Sequence, residues 1–432
     1  MIRFTHSNSP SLGRGQWETP LLTALLATAI WAACFYFPDV WMITGIGEAD
    51  KLFLDLRNLL SAGEVAARGL DPHVSNPLDP YHRLHGYTDW WLVTGTMGLT
   101  LADTAWLGTL LIGLTLASTM LLLRPANWSQ GRVLLLVLVS PPLLFAINRA
   151  NHDLVVFVIM CGALACFRGV GVPRRALGVV LLAVAAALKY FPLAAVVLLL
   201  DARTRRELLG WGLLYGLVLV LAWPSLEAGL RNAVSLSPAP SWLYAFGAPV
   251  IFRNVGIVAP IGWLLAGFLL YAGVVGWPSI KTRNPAPAEG AGRDQEREFA
   301  CGAVMIVGCF LHGSSYLYKM VFALWLLPWL WRATLAGNDE RWRKATLGLL
   351  LAVLWFEGGA AMAVNLLYLS SVLSAVVAHK THIVTQFVSQ LLTWALVLCL
   401  WRALWLYLIR QIRRLGSPWL DHLGPRPEPL AR

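Results

Sequence analysis

Charge is what this chain has least of. Only 13% of its 432 residues are Asp, Glu, Lys or Arg, about half the share that a soluble globular domain carries. Long polar stretches are few as well. Apolar runs near 20 residues recur, as membrane spans require, and they exclude a soluble protein. No small-residue cleavage site follows the first run, 21–37, which is read as a retained span and not a removed signal peptide. The six cysteines (Cys34, Cys161, Cys166, Cys301, Cys309 and Cys399) form no CxxC pattern and lie in apolar runs, as small buried hydrophobes do. Metal-ligand spacing is also missing. His82 and His85 form an i,i+3 pair near Asp79, but no third and fourth ligand is evident. No metal and no cofactor are expected, and the net charge of +11 does not point to nucleic acid.

What is present is an uneven distribution of charge. Eight of the 23 carboxylates (Asp39, Glu48, Asp50, Asp55, Glu64, Asp71, Asp79 and Asp89) share residues 39–89 with only four basic residues, Lys51, Arg57, Arg68 and Arg83. Most of the 34 lysines and arginines fall elsewhere, in connections such as 124–132, 168–175, 203–206, 281–297 and 332–344. Arginine-rich connections alternate with ones rich in His, Asn, Ser, Asp and Tyr. The positive-inside rule places the first kind, and both termini, in the cytoplasm. The acidic loop then faces outward, into the periplasm of a Gram-negative cell. Several of the 21 tryptophans (Trp41, Trp90, Trp91, Trp223, Trp329, Trp331 and Trp355) sit at run ends, where an amphipathic ring suits the headgroups.

The expected fold is all-α: one polytopic transmembrane domain over 1–432, in about 12 helical segments. These are 20–38, 103–123, 133–147, 154–167, 176–188, 191–200, 208–223, 255–277, 298–311, 320–331, 345–369 and 384–409. Outward loops are expected at 39–89 and 224–254. Several segments are too short to cross. Fifteen residues (133–147) make about 22 Å of helix, against a hydrocarbon core of about 30 Å. The short pairs read as broken hairpins. Irregular backbone at that depth needs burial in protein or a wet cavity, so an outward-facing cavity lined by the hairpin turns is expected.

Each turn carries a cation. The first contains Asn148, Arg149, Asn151, His152 and Asp153, the second Lys189 and Tyr190, and the third His312, Tyr316, Tyr318 and Lys319. Ionisable groups at membrane depth usually mark function, and converging cations suit an anion such as phosphate. Blander readings stand beside these. Lys189 would snorkel to the interface, Arg149 and Asp153 would form a structural ion pair, His312 would be a satisfied helix-end residue, and Tyr316 and Tyr318 would be interface packing. The loop at 224–254 contains Ser-Pro-Ala-Pro-Ser-Trp (237–242), which excludes a regular spanning helix there. It either covers the cavity or serves as a plain connector, with Arg253 and Asn254 at the rim.

Residues 52–68 read as an amphipathic interfacial helix. Leu52, Leu56, Leu59, Leu60, Gly63 and Ala66 fall on one side. Asp55, Asn58 and Ala62 fall on another, with Arg57 and Glu64 nearby. Gly69 suits a helix stop. Asp55, partly desolvated and facing the cavity, is placed to act as a general base; its alternative is a solvated surface carboxylate.

These residues resemble a known family. Phe53-Leu54-Asp55-Leu56-Arg57 followed by Gly69-Leu70-Asp71-Pro72 is similar to the first-loop signature of glycosyltransferase family 87, bacterial enzymes of the GT-C class. Leu188-Lys189-Tyr190-Phe191-Pro192 resembles that family's Lys-x-x-Pro hairpin. Residues 148–153 and 316–322 occupy places where the family has polar turns. The likeness covers about 50–330. It departs from the pattern at Leu56 and Leu59, which replace aromatics, and at His73, which follows Pro72 where tyrosine is usual.

The resemblance implies a polyprenyl-phosphate sugar donor, with mannose the first choice, and a glycan or glycolipid acceptor. Transfer would occur on the outer face of a bacterial inner membrane, with inversion. Asp55 would be the base. Lys189, His312, Lys319 and Arg149 would hold the donor phosphate. Arg57, Asn148, Asn151, Asp153, Tyr190, Tyr316 and Asn254 would contact sugar or acceptor. The rivals are a secondary transporter and a lipid-linked glycan ligase or polymerase. Transporters commonly carry two related halves, and no repeat is seen here. Ligases usually place their large loop late in the chain. A non-catalytic scaffold would leave the charged turns unexplained.

Overall fold

Apolar composition and proline position together set the architecture. The computed structural model describes residues 17–46, 52–169, 171–236, 244–254, 256, 259–275, 291–313, 315–331 and 338–415. The fold is all-α. In chain order the first helices are α1 (Glu18–Tyr36), α2 (Asp39–Ile43), α3 (Leu54–Ala67), α4 (Val93–Thr96), α5 (Thr104–Leu123), α6 (Trp128–Leu138), α7 (Pro141–Asn148), α8 (Asp153–Phe167) and α9 (Val172–Leu188). After a 3-10 segment, Phe191–Asp201, come α10 (Arg205–Leu221), α11 (Trp223–Leu236), α12 (Ala248–Asn254), α13 (Ala259–Val275) and α14 (Ala291–His312). A second 3-10 segment, Leu317–Leu326, leads into α15 (Leu327–Leu330), α16 (Asn338–Leu369) and α17 (Ala375–Arg414). Two-residue strands β1 (Ala245–Phe246) and β2 (Ser315–Tyr316) pair antiparallel.

Among the described residues four helical stretches are long and apolar enough to cross a membrane: Glu18–Tyr36, Leu101–Leu123, Arg341–Leu369 and Ala375–Arg414. The number rises to six if each bent pair counts as one span. Both bends sit at proline. α6 meets α7 at 56° where Pro141 and Pro142 follow Ser140, and α10 meets α11 at 70° where Pro224 follows Trp223. A proline ring removes one donor and clashes with the preceding turn, which ends the first helix and starts the next. These helices are compatible with an integral membrane protein.

Of the expected 12 or so helical segments, some are short, as expected. Segments 154–167, 191–200 and 320–331 appear as shorter apolar helices, within Asp153–Phe167, Phe191–Asp201 and Leu317–Leu330. Apolar runs show where helix forms, not where it bends. α14 begins before 298 because its polar first turns are held by Arg293 and Arg297 on Asp201. Pro224 sits in the first turn of α11, where its missing N–H costs nothing. Residues 237–242 lie outside the described residues.

The helix expected at 52–68 is α3, and Gly69 ends it at φ +77° with its N–H on the Ala66 carbonyl at 2.9 Å. Its polar side faces protein. Asp55, Asn58, Ser61, Ala62 and Gly63 are all buried. A Cβ on Gly63 would stand 2.2 Å from Thr94 Oγ1 and 2.7 Å from the Gly95 nitrogen, so only hydrogen at that position lets α3 approach α4.

Candidate functional site: two buried carboxylates beside a cleft

The turn between α7 and α8 is stitched to the start of α3. Ala150 adopts φ +42° and Phe53 φ +60°, both in the left-handed region that few non-glycine residues occupy. The Phe53 N–H donates to the Asn148 carbonyl at 2.7 Å, and the Asp55 N–H to the Arg149 carbonyl at 3.0 Å. Helix-start N–H groups need acceptors from outside the helix, and this turn supplies them. The result sets Asp55 against Arg149.

Asp55 is closed in. Arg149 Nε donates to Oδ2 at 2.9 Å and Nη2 to Oδ1 at 2.6 Å, a planar fork on a planar acceptor. Asn151 Nδ2 donates to Oδ2 at 2.5 Å and Arg83 Nη1 to Oδ1 at 3.2 Å. Arg83 also donates to Asp79 and to the Leu54 carbonyl, and Asn58 reaches Asp79 Oδ2 at 3.1 Å. Two carboxylates thus face two guanidiniums, and the network is electrically neutral. Burial alone would raise the Asp55 carboxyl; the Arg149 charge and hydrogen bond, with Arg83, outweigh it and hold Asp55 well below the usual carboxylate range. Asp79 is likewise lowered, its burial outweighed by Arg83.

Asp153, at the start of α8, is built differently. Lys189 Nζ donates to its Oδ1, and Lys319 Nζ lies 2.7 Å from Oδ2, an ion pair without hydrogen-bond geometry. α9 ends at Leu188 and delivers Lys189; the second 3-10 segment delivers Lys319. Lys319 Nζ also sits 3.9 Å from the centre of the Phe191 ring. Two lysines on one carboxylate leave an excess of cationic groups, although burial, together with the Lys319 charge, pulls Lys189 down to about 7.

That surplus borders a small open cleft of about 90 Å³. Lys189, Lys319, His312 and Tyr190 line it, with Tyr87, Tyr318 and Ser315. The Tyr190 hydroxyl is 3.4 Å from His312 Nδ1. Tyr87 and Tyr318, both on the cleft, lie close enough to Asp55 and Asp153 to feel both charges.

Of the expected phosphate ligands, three therefore meet at one surface: Lys189, Lys319 and His312. Arg149 does not join them, because its guanidinium is committed to Asp55. Nor do Arg149 and Asp153 pair with each other, as the blander reading had it. Asn151 holds Asp55, and the Asn148 carbonyl receives the Phe53 N–H. Tyr316 packs its ring 5.6 Å from those of Phe145 and Tyr318, and it is Tyr318 that lines the cleft. Arg57 donates to the Leu52 carbonyl at 2.9 Å and does not line the cleft. Asn254 ends α12, and its side chain lies outside the described residues.

Sequence reasoning missed Tyr87 and Arg83. Arg83 had a signal, four residues after Asp79 in a loop with few cations. Tyr87 had none, being a single aromatic after Gly86 in an aperiodic loop. His85 is buried beneath the same loop, where burial and the nearby His73 push its imidazole down to about 4. Among the described residues no group of three or more His, Cys, Asp and Glu side chains is arranged to hold a metal ion.

Comparison of the chain with family models, with curated proteins and with solved structures gives no match.

Proposed function

We propose that this chain is a membrane glycosyltransferase that takes a sugar, mannose first, from a polyprenyl-phosphate donor and passes it to an acceptor hydroxyl with inversion. One observation carries the reading: two lysines share a single buried carboxylate at the wall of an open cleft. A phosphodiester placed there would meet Lys189 and Lys319, with His312 and Tyr190 at its edge. When the sugar–oxygen bond breaks, the departing phosphate gains charge, and preorganised cations stabilise that charge best in a site with little water.

Asp55 is the proposed base. Its carboxylate is ionised, the form a base requires. The Arg83 contact, the longest at 3.2 Å, is the one an acceptor hydroxyl would replace. The attacking oxygen then bonds to the anomeric carbon, its proton passes to Asp55, and polyprenyl phosphate leaves. The cleft's outward orientation belongs to the same proposal and rests on the distribution of arginine.

The test uses radiolabelled polyprenyl-phosphate mannose with membranes that contain the protein. Product formation without solute uptake is the expected result, and Asp55→Asn abolishes it while expression and membrane insertion persist. Uptake without transfer would make the protein a transporter. Near-normal turnover by Asp55→Asn would remove Asp55 from the role of base.

A further inference from the structure

Among the described residues six carboxylates are buried: Asp55, Asp79, Asp153, Asp201, Glu298 and Glu357. The first five each have an arginine or lysine at ion-pair distance. Glu357, in the middle of α16 and fully buried, has none. Its partners are of another kind. Oε1 accepts the backbone N–H of Tyr244 at 2.5 Å, and Oε2 accepts the Ser389 hydroxyl of α17 at 2.7 Å. One residue on, the Gln390 side-chain amide donates to the Ala245 carbonyl at 2.6 Å. Two long helices thus grip one short stretch of chain, 244–245, from its N–H side and its carbonyl side.

That stretch leads to the cleft. The Tyr244 carbonyl accepts the Leu317 N–H at 2.6 Å, and β1 pairs with β2 through Ala245–Tyr316 and Phe246–Ser315. Ser315 lines the cleft, and Lys319 stands two residues beyond Leu317. We infer that Glu357 is a positioning residue. By holding 244–245 it keeps the 315–319 wall in the register that sets Lys319 on Asp153 and at the cleft surface. An apolar side chain at 357 would orphan the Tyr244 N–H in a dry interior, where backbone donors are almost always paired. The inference takes the cleft to be the anion site proposed above.

Hydrogen exchange of the full chain in nanodiscs tests it, together with titration of a short-chain polyprenyl phosphate. Glu357→Leu should speed exchange at 244–246 and 315–319 at least tenfold. Amides of α8 and α9 should keep their protection, and the lipid phosphate should bind at least tenfold more weakly. Glu357→Gln retains an acceptor for Tyr244 and a partner for Ser389, and should restore both readouts. Gln390→Met loosens the same stretch from its other side and should shift exchange in the same direction, which keeps the test decisive if Glu357→Leu fails to fold. Unchanged exchange at 315–319 in the folded variants, or a Gln variant as defective as Leu, overturns the positioning role. If the unmodified protein binds no polyprenyl phosphate, the cleft's proposed function falls, while the exchange data still decide the role of Glu357.

Discussion

Asp153 ends the turn between α7 and α8, Asp55 is bonded to that turn's start from α3, and each is buried against two cations. They differ in the cation. Around Asp55 the cations are guanidiniums, whose five fixed donors satisfy two carboxylates, Asp55 and Asp79, and the Leu54 carbonyl. The charges balance, two against two. Around Asp153 they are ammoniums, compact charges on flexible stems, and their combined charge exceeds that of the carboxylate they share. The first arrangement is closed and neutral, as a structural joint should be. The second keeps surplus charge beside a cleft, as a binding site should. Placing the base in the closed joint is what makes the proposed mechanism conditional on Arg83 letting go.

The largest effect should come from breaking the closed joint. Arg149→Ala removes the fork from a buried carboxylate and should cost about 3–5 kcal/mol, read as a shift in the denaturant midpoint. If stability hardly changes, the joint is not structural and the contrast collapses. Lys319→Met should act on ligand before fold. Losing one charge-assisted contact, worth about 1.5–3 kcal/mol, should weaken short-chain polyprenyl phosphate binding roughly 10–100-fold. Equal loss from Arg149→Lys in a folded protein would blur the two roles.

The pH dependence separates the loop's groups. Asp55 and Asp79 are held low, so their stabilisation is present above the unfolded carboxylate value of about 3.9 and is lost as pH falls through their native values. They should contribute no slope between pH 5 and 8. His85, held near 4, does the reverse of a salt-bridged histidine. Between pH of about 6.5 and 4 the unfolded chain binds the extra proton, so stability falls with pH, by up to about 3 kcal/mol. His85→Asn should reduce that slope, leaving the part due to His152, which burial also lowers; an unchanged slope would clear His85. Gly63→Ala forces Thr94 and the Gly95 backbone to shift, at a cost of about 1–3 kcal/mol, read as a lower denaturant midpoint.

What could be read from the sequence was local. The helix at 52–68, its stop at Gly69 and the polar turns that hold Lys189, His312 and Lys319 all follow from periodicity, turn chemistry and apolar flanks. Partner choice did not follow. Arg149 bonds across 94 positions to Asp55, and Lys189 across 36 to Asp153; no spacing rule encodes such pairs. The number of complete spans was not legible, because proline bends and 3-10 segments interrupt apolar runs without altering their composition. Glu357 was passed over because a single carboxylate in an apolar run shows nothing of the backbone N–H it accepts.

The account's central claim is that the lysine-lined cleft holds a polyprenyl phosphate. Native mass spectrometry of protein released directly from its own membranes tests it most directly. The predicted result is a copurifying polyprenyl-phosphate lipid on the unmodified chain that is lost from a folded Lys189→Gln/Lys319→Gln variant. A chain carrying no lipid of that class, or a double variant that retains it equally, would contradict the claim.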